Sequence, residues 1–514
     1  MADTEREIER KYEATEDTRL PDLTRAAGVD RAVPRGRTEL DAVYWDTADL
    51  RLAADGLTLR RRTGGADAGW HVKFPVALGV RDEVREPLSD TLPPSLAALL
   101  RSRVRHAEIT PVVRLLTSRD VHHLLAADGT LLAEVSVDTV LAERLAGEGT
   151  GTGAAWTEIE AELADGADPA VLDAVEKRLR KAGVRPARSS SKLARALAET
   201  AAHRDEHGPE ASAAPTAGDH VLAYVHKQIA TIVRLDPAVR RGLPDSVHKM
   251  RVATRRLRSA FKTHRRILDR AATDPLGAEL KWLAAELGLD RDQEVLDERI
   301  GSRVEALPAA LTLGPVRGRL RAWSAARRTG SRRRIIDVLD GQRYLDLLEA
   351  LHALGTDPPL RPAARKAPGK ALARTVLKDH RKLARRMDHA LQLPPGPERD
   401  TALHEARKAA KRARYAGESA RPALGRPAKR FVQRVKAVQS VLGDHQDSVV
   451  AREALRTLAI QSHAAGETAF TWGLLYGREE AAAEAREREL PGVWARAAHP
   501  GLPADLKHRD AGYA

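Results

Sequence analysis

The sequence predicts a protein of two parts, an α+β part built on an antiparallel sheet and an all-helical part that follows it. Three observations carry this prediction. Short alternating segments and turn signals fill residues 1–200, Ala, Leu, Arg and Glu recur at helical spacing beyond residue 219, and the two parts differ in charge. Residues 1–200 hold 29 Lys and Arg against 34 Asp and Glu, a net charge of −5, whereas residues 201–514 hold 57 against 38, a net charge of +19. The second part is therefore the one expected to bind polyanions.

Length and composition set the domain boundaries and exclude several kinds of site. A chain of 514 residues is longer than one hydrophobic core usually accommodates, so we expect more than one domain. We assign residues 1–200 and 220–500 to two domains, 201–219 to a flexible linker that lacks periodic apolar residues, and 501–514 to a tail. The absence of cysteine excludes disulfides, thiolate metal sites and cysteine nucleophiles. No apolar run approaches a bilayer span and the first residues are acidic, so we expect a cytoplasmic protein with no membrane partner.

Two segments of the first part have the pattern of strands with an acidic face. Successive side chains of a strand point to opposite sides, so Glu5, Glu7, Glu9 and Lys11 share one face. The segment from residue 156 to residue 163 repeats the pattern, with three acidic residues on one side and three apolar residues on the other. The acidic residues of this second segment are Glu158, Glu160 and Glu162.

Basic strands lie between the two acidic ones. Arg60 and Arg62 share a face, Lys73 lies opposite a row of apolar residues, and Arg81 shares a face with Glu83. We expect one or two helices beside this sheet. The turn signals that separate the strands are Pro34-Arg35-Gly36, Ala54-Asp55-Gly56, Gly64-Gly65, Asp128-Gly129 and the glycine-rich residues 147–153.

The alternation of charged and apolar residues along these strands is compatible with two arrangements of the sheet. In one, the apolar face of an open sheet packs on helices and the charged face meets bulk water. In the other, the sheet closes with its charged faces inward, around a lumen that needs water or counter-ions because unpaired buried charge is costly. Such a lumen would be a ligand site, since carboxylates bind hard divalent cations and Arg and Lys bind phosphoryl oxygens.

The ordered motifs of residues 3–200 resemble the CYTH, or triphosphate tunnel metalloenzyme, family. The resemblance rests on these segments: Glu7-x-Glu9-x-Lys11, Val43-Tyr44-Trp45-Asp46-Thr47, Leu59-Arg60-Arg61-Arg62, Trp70-His71-Val72-Lys73, Arg81-x-Glu83, Glu158-x-Glu160-x-Glu162 and Ser191-Lys192-Leu193-Ala194-Arg195. It implies an eight-stranded antiparallel tunnel barrel that hydrolyses a linear triphosphate with Mg²⁺ or Mn²⁺.

The resemblance also implies roles for individual residues. It implies that Glu7, Glu9, Glu158 and Glu160 are metal ligands and that the Lys and Arg residues of the tunnel bind the phosphate groups. Lys11 and Glu83 are further candidates for assisting proton transfer, Arg60 and Arg62 for stabilising the transition state, and His71 has no assigned role. Relatives often carry a basic residue near Leu116, so the part of the tunnel wall around Leu116 is expected to bind the triphosphate less strongly. The phosphate-binding set is Lys11, Arg60, Arg62, Lys73, Arg81, Arg119 and Lys192.

The second part contains an internal repeat. Residues 247–258 match residues 403–414, with His404 following His248 by 156 positions. In each copy a histidine heads a line of cations at steps of three and four, which is one stripe on a helix. A Leu-Gly pair and an aspartate follow each copy, and we expect these aspartates, Asp292 and Asp447, to hold arginines in place.

Each stripe is either a solvated helix face or a binding surface whose charge repulsion a polyanion offsets. The motifs Val247-His248-Lys249-x-Arg251, Leu403-His404-x-x-Arg407 and Val441-Leu442-Gly443-Asp444 resemble the CHAD family, which implies two helical bundles around a groove that binds inorganic polyphosphate. The resemblance makes polyphosphate a partner and polyphosphate granules a candidate location. The binding set it implies is His248, Lys249, Arg251, Arg255, Arg258, His404, Arg407, Lys411 and Arg414.

The preferred hypothesis is therefore a metal-dependent triphosphatase joined to a polyphosphate-binding domain. A non-catalytic polyphosphate scaffold is the alternative. A nucleic-acid binder is a third reading, disfavoured for single strands by an aromatic fraction of 4%. Nucleotide cyclase and thiamine-triphosphatase activities also remain open for the tunnel.

Overall fold

The computed structural model describes residues 3–147, 149–201, 214–328 and 331–507, apart from the side chains of residues 289–292, 328, 331 and 507. The chain forms two compact units, Met1–Glu210 and Ala211–Ala514. Among the described residues, none of the helices combines the length and the apolarity that crossing a bilayer requires.

The described residues of the first unit form nine strands and four α-helices. The strands are β1 (Asp3–Ala14), β2 (Arg31–Asp46), β3 (Thr58–Thr63), β4 (Gly69–Ala77), β5 (Val80–Pro87), β6 (Thr110–Leu125), β7 (Leu131–Arg144), β8 (Gly153–Leu163) and β9 (Arg185–Pro186). The helices are α1 (Arg51–Ala54), α2 (Pro94–Val104), α3 (Ala170–Lys181) and α4 (Lys192–Glu199), more than the one or two expected.

Eight of these strands close into an antiparallel ring in the order β1-β5-β4-β3-β2-β6-β7-β8, and β9 pairs only with β1. Strand β1 closes the ring because it changes partner along its length. Asp3–Ile8 pairs with β5, and Glu9–Ala14 pairs with β8. Gly79 makes this change possible: its φ is +69°, and a Cβ there would lie 2.7 Å from the carbonyl oxygen of Glu9. The closed arrangement is therefore the correct one of the two left open by the sequence.

The outer face of the ring is apolar and covered by helices. On one side, Val135 and Ile159 pack with Val175 of α3 in a buried cluster. On another, Trp70 and Val72 pack with Leu100 of α2. These contacts account for the alternation in the charged strands, because burying the apolar faces of β1, β3, β4 and β8 on helices leaves their charged faces to the lumen.

Helix α4 packs against one end of the ring interior. Its residues Leu193 and Ala196 share a buried cluster with Tyr44, Leu115 and Trp156. The side chain of Ser191 caps the helix by accepting a hydrogen bond from the amide of Ala194. The position of α4 brings Lys192, the first helical residue, to the wall of the lumen.

One predicted turn is not a turn. Pro34-Arg35-Gly36 lies inside β2, where the pairing with β6 shifts register between Pro34 and Gly36. Gly36 has a φ of +91°, so the glycine and the proline accommodate a bulge within a continuous strand. The other four turn signals lie between elements.

The described residues of the second unit form twelve α-helices, with α13 packing against both α6 and α12. Residues 501–514, expected as a tail, include α16, whose Leu502 and Leu506 are buried. The helices are α5 (Ala217–Arg241), α6 (Ser246–Thr263), α7 (Arg270–Glu286), α8 (Leu289–Glu305), α9 (Val316–Arg328), α10 (Ser331–Asp340), α11 (Gln342–Thr356), α12 (Pro368–Gln392), α13 (Pro397–Leu424), α14 (Arg426–Ala464), α15 (Phe470–Ala498) and α16 (Gly501–Lys507).

Candidate functional site

A cavity of about 500 Å³ lies inside the ring. Its wall is acidic along β1 and β8, basic along β3, β4 and β5, and largely uncharged along β2 and β6, apart from Arg119. The predicted site residues that line it are Glu7, Glu9, Lys11, Arg60, Arg62, Lys73, Arg81, Arg119, Glu160 and Lys192.

On the acidic side, Glu7 and Glu9 are both buried and each contacts a lysine. Lys73 Nζ lies 2.5 Å from Glu7, yet burial raises the pKa of Glu7. Lys11 Nζ lies 3.0 Å from Glu9 and lowers its pKa against the effect of burial. Both carboxylates therefore face the lumen with a cation already beside them.

Glu160 joins the acidic side to the cations of three other elements. Its carboxylate contacts Lys11, lies 2.6 Å from Arg119 and 2.6 Å from Lys192. Although desolvation acts to raise the pKa of the partly buried Glu160, these three cations hold it well below the usual range. Asp138, which the sequence analysis did not select, accepts two hydrogen bonds from Arg119 and lies 2.8 Å from Lys192.

Glu158 is the one predicted metal ligand that does not line the cavity. It accepts a hydrogen bond from Trp156 Nε1 at 2.7 Å and lies 2.9 Å from Lys192. Its carboxylate nevertheless belongs to a cluster with those of Asp138 and Glu160, whose oxygens all lie within 4.8 Å of one another.

Glu162 shows that this side of the lumen carries an excess of negative charge. Within the described part of the chain no cation forms an ion pair with it. Burial, together with Glu7, Glu9 and Glu160, raises the pKa of Glu162 to about 7. A donor set made of carboxylate oxygens with unbalanced charge fits a hard divalent cation.

Three arginines converge on the basic side. Burial, then Arg60 and Arg119, lowers the pKa of Arg62 to about 9. Arg62 forms an ion pair with Asp67 in the loop between β3 and β4. Among the described residues, the Nε–H groups of Arg60 and Arg62 are buried without a hydrogen-bond acceptor. Such donors fit an anion in the lumen.

Tyr44 is a lumen residue that the sequence analysis did not select. It is 4% exposed, and Arg60 and Lys192 lower the pKa of its hydroxyl against the effect of burial. The strand register pairs Tyr44 with Arg60 on the neighbouring strand. Strand alternation would have found it, because Tyr44 has the same parity as the inward-facing Leu40 and Ala42 on β2.

Glu83, predicted to assist catalysis, is fully buried and does not line the cavity. Arg60 and Lys73 each lie 3.5 Å from its carboxylate, and Arg85 also contacts it. With His71 Nδ1 at 2.9 Å, these cations hold the pKa of Glu83 well below its usual range. A carboxylate so strongly stabilised as an anion is a poor proton acceptor, so its contacts suit positioning Arg60 and Lys73.

His71, which had no assigned role, lies between Glu83 and the loop before β4. Its Nε2 is 2.9 Å from the carbonyl oxygen of Asp67, so acceptors face both ring nitrogens. Burial and the nearby Arg60 lower its pKa to about 4, against the effect of Glu83. At neutral pH the ring carries one hydrogen and can donate to only one of the two acceptors.

Leu116 does not belong to the wall. Alternate residues of β6 face the lumen, and these are Leu115, Thr117, Arg119 and Val121. Leu116 is on the outer face and is 42% exposed. A basic residue at Leu116 itself would point away from the cavity, so the predicted difference in grip applies only to its neighbours Leu115 and Thr117, which face the lumen.

In the second unit, the two cation stripes lie on α6 and α13, which pack together. Burial, followed by Arg255 and Arg407, lowers the pKa of Lys411 to about 7. Burial and the nearby Arg255 also lower the pKa of Arg258, whose Nε–H is buried without an acceptor among the described residues. The two copies of the repeat thus face each other with their positive charges crowded together.

The companion motifs support the arginines of the stripes. A Cβ on Gly288 would lie 2.8 Å from a guanidinium nitrogen of Arg251, and one on Gly443 would lie 3.8 Å from Nε of Arg407. Gly288 thus leaves room for Arg251, whereas a Cβ at Gly443 would make only an ordinary contact with Arg407. Asp447 lies 3.9 Å from Arg407, as expected for a residue that holds an arginine, whereas the side chain of Asp292 lies outside the described residues.

The remaining stripe residues differ in what they contact. His248 and Lys249 are exposed. His404 Nδ1 donates to Gln446 at 2.5 Å. Arg414 donates to Gln439 and pairs with Glu418 at 2.7 Å, so an acid of its own helix already balances its charge.

Comparisons with known proteins agree with this division. A CYTH domain model matches residues 5–196 and a CHAD domain model matches residues 223–456. The uncharacterized proteins MT2285 and Rv2226 of two Mycobacterium tuberculosis strains are each 39% identical over 503 residues, covering 94% of both chains.

Solved structures of similar proteins include PptA from Streptomyces chartreusis, 21% identical, covering 55% of this chain and 99% of its own, with a TM-score of 0.46. The CHAD domain from the plant Ricinus communis is 25% identical, covering 57% of this chain and 96% of its own, with a TM-score of 0.43. From the domain matches and the full-length relatives, the chain belongs to the family of proteins in which a CYTH domain is followed by a CHAD domain.

Proposed function

We propose that the ring hydrolyses inorganic triphosphate or a related linear triphosphate in a reaction that depends on a divalent metal ion. The observation that carries this proposal is the crowding of Arg60, Arg62 and Arg119 around one cavity, with the pKa of Arg62 lowered to about 9. A phosphate chain beside these arginines would relieve their repulsion and accept hydrogen bonds from the two buried Nε–H groups. Residues 1–200 would carry this activity.

The acidic side supports a metal-dependent reaction. Glu7, Glu9, Glu158 and Glu160 would hold a divalent metal ion, Mg²⁺ or Mn²⁺, which supplies charge neutralisation and a water of lowered pKa. Because Glu158 lies behind Lys192, it would contribute through the cluster it forms with Glu160 and Asp138.

The chain's own cations position the substrate and stabilise the charge that develops on it. Arg60 and Arg62 would stabilise the transferred phosphoryl group, and Lys73, Arg81, Arg119 and Lys192 the rest of the chain. Lys11 lies within the acidic side, between Glu9 and Glu160, where it would contact the part of the substrate nearest the metal ion. Glu83 acts by holding Arg60 and Lys73.

Glu9→Ala tests the enzymatic proposal. Phosphate release from tripolyphosphate with Mg²⁺ should fall to background, while Glu143→Ala, a carboxylate loss at an exposed position of β7, should leave turnover unchanged. Tripolyphosphate with Mg²⁺ should also raise the melting temperature of the protein, because a ligand that binds only the folded state stabilises it. Unchanged turnover in Glu9→Ala would remove the metal assignment.

For residues 220–500 we propose polyphosphate binding on the surface formed by α6 and α13. The lowered pKa of Lys411 supports this, since it reflects burial together with the neighbouring Arg255 and Arg407, whose effect the nearby Asp447 does not cancel. Polyphosphate should displace duplex DNA from the protein at low molar excess. If polyphosphate displaces the DNA only when it supplies as much negative charge as the DNA, the surface binds polyanions in general.

A non-catalytic scaffold is the second candidate function. The observation that favours it is that Glu160 already has three cationic partners, which compete with a metal ion. Phosphate-release assays separate the two candidates. A scaffold would bind tripolyphosphate and be stabilised by it, yet release no phosphate with any divalent metal ion.

A further inference from the structure

A second cavity of about 500 Å³ lies in the helical unit, between α12 and α16. It shares no lining residue with the α6 and α13 stripes. Six of its lining residues belong to α12 and one, Pro503, to α16. The α12 residues are Lys370, Ala373, Arg374, Leu377, His380 and Arg381.

Three cations stand along one side of this cavity. Lys370, Arg374 and Arg381 are separated by four and seven positions, so they share a face of α12, and all three are exposed. Among the described residues no carboxylate forms an ion pair with any of them. Nearby acids on the two helices have other partners: Asp379 pairs with Lys382 at 3.1 Å and Asp505 with Arg430 at 2.8 Å. The cations are therefore available to an external anion.

The floor of the cavity is uncharged. Ala373 is 4% exposed and His380 is 6% exposed. His380 Nε2 donates to the carbonyl oxygen of Ala497 at 3.1 Å, and its ring centre lies 5.6 Å from that of Phe431. Burial lowers the pKa of His380, against the effect of that hydrogen bond, so its ring adds no charge to the floor at neutral pH. Leu377 and Pro503 extend the apolar contact.

This combination differs from both sites already described. The ring cavity has charged groups on most of its walls, and polyphosphate has no apolar part that would use the floor between α12 and α16. A volume of about 500 Å³ suits a small ligand, within the range of about 300–1,000 Å³ common for such sites. We propose that this cavity binds a small organic anion with one phosphate group on a flat apolar body, the chemistry of an aryl or nucleoside monophosphate.

Titration calorimetry of the full-length protein with 1-naphthyl phosphate tests the proposal. Loss of one charge-assisted hydrogen bond corresponds to about tenfold in affinity. Arg374→Glu and, independently, Arg381→Glu should each weaken binding by at least about tenfold. The matched control is Arg386→Glu, the same charge change at an exposed position of α12 that does not share the face of Arg374 and Arg381, which should alter affinity by less than about twofold.

Two competitors separate this cavity from the polyanion sites. Inorganic phosphate, which lacks the apolar body, should bind at least about tenfold more weakly than 1-naphthyl phosphate. A saturating amount of tripolyphosphate should leave the naphthyl phosphate affinity unchanged. Equal weakening in Arg374→Glu and Arg386→Glu, equal affinity for the two phosphates, or displacement by tripolyphosphate would each overturn the proposal. None of these outcomes depends on the ring being a triphosphatase.

Discussion

Replacing Glu83 by Gln should destabilise the ring and weaken its grip on a triphosphate. The Glu83 carboxylate is fully buried and faces the cations Arg60, Lys73 and Arg85. The amide would keep the shape but leave three positive charges without their shared anion.

The size of the effect follows from these contacts. Removing one partner of a buried charged group costs about 3–5 kcal/mol of the free energy of unfolding. Lys73 and Arg85 also contact Glu7, at 2.5 Å and 3.6 Å, and the new amide could donate to His71, so we expect the lower end, about 3 kcal/mol. KM for tripolyphosphate should rise because Lys73 would lose a positioning contact, and kcat should fall because Arg60, which stabilises the transferred phosphoryl group, would lose one too.

The stability loss should depend on pH in a defined direction. The folded-state pKa of Glu83 lies below its ordinary value of 4.5, so the stability it contributes is fully present above that pH and is lost as pH falls below it. The difference between wild type and Glu83→Gln should therefore be constant from neutral pH down to about 5 and shrink at lower pH.

Urea-dependent hydrogen exchange of the full-length protein, followed for peptides from β4 and β5, measures this loss within the ring itself. Glu143→Gln is the matched control, since it makes the same change at an exposed position of β7. Equal protection of β4 and β5 in wild type and Glu83→Gln would show that Glu83 does not hold the basic side together.

Three further changes test other parts of the structure. Lys411→Arg should flatten the pH dependence of polyphosphate affinity. The pKa of Lys411 is lowered to about 7, so the affinity of the wild-type protein should fall as pH rises past that value. The control variant Lys408→Arg, at an exposed position, should show the same fall when affinity is measured by calorimetry. Glu162→Gln should raise the melting temperature at about pH 8 and not at about pH 4, because the raised pKa of Glu162 makes its ionisation destabilising. Leu100→Ala should lower the free energy of unfolding by about 2–5 kcal/mol in hydrogen exchange of β4, since Leu100 is fully buried against the outer face of the ring.

For each of these three predictions, one experimental result would contradict it. Polyphosphate affinity that is the same on both sides of neutral pH would remove Lys411 from the binding surface. A lower melting temperature of Glu162→Gln at about pH 8 would mean that the carboxylate is stabilised by a partner. A loss well under 2 kcal/mol for Leu100→Ala would mean that α2 packs loosely on the ring.

Strand alternation predicted the charged and apolar faces of β1, β3, β4 and β8 correctly, because side chains alternate with the same period as the pleat. It could not decide between an open and a closed sheet, since closure depends on β1 changing partner between Ile8 and Glu9. It also misread Pro34-Arg35-Gly36 as a turn, because a bulge uses the same residue types as a turn.

The candidate site was predicted less completely, for a related reason. The motifs identified which residues carry charge, but depth within the wall depends on strand register and on α4. Glu158 and Glu83 therefore lie behind the surface that their motifs placed them on, while Tyr44 and Asp138 were missed. In the helical unit, the spacing of Arg414 matched the stripe, but its contact with Glu418 depends on side-chain packing that spacing does not reveal.

The partner change of β1 means that the ring is completed by the first and last of its eight strands. Glu9 lies opposite Glu162, more than 150 positions later in the chain. Contacts of such long sequence separation form late, after the entropy of closing the intervening loop has been lost. A nascent polypeptide still lacking Gly153–Leu163 would consequently hold the acidic residues of β1 without their counterparts, and would emerge from the ribosome with no assembled lumen.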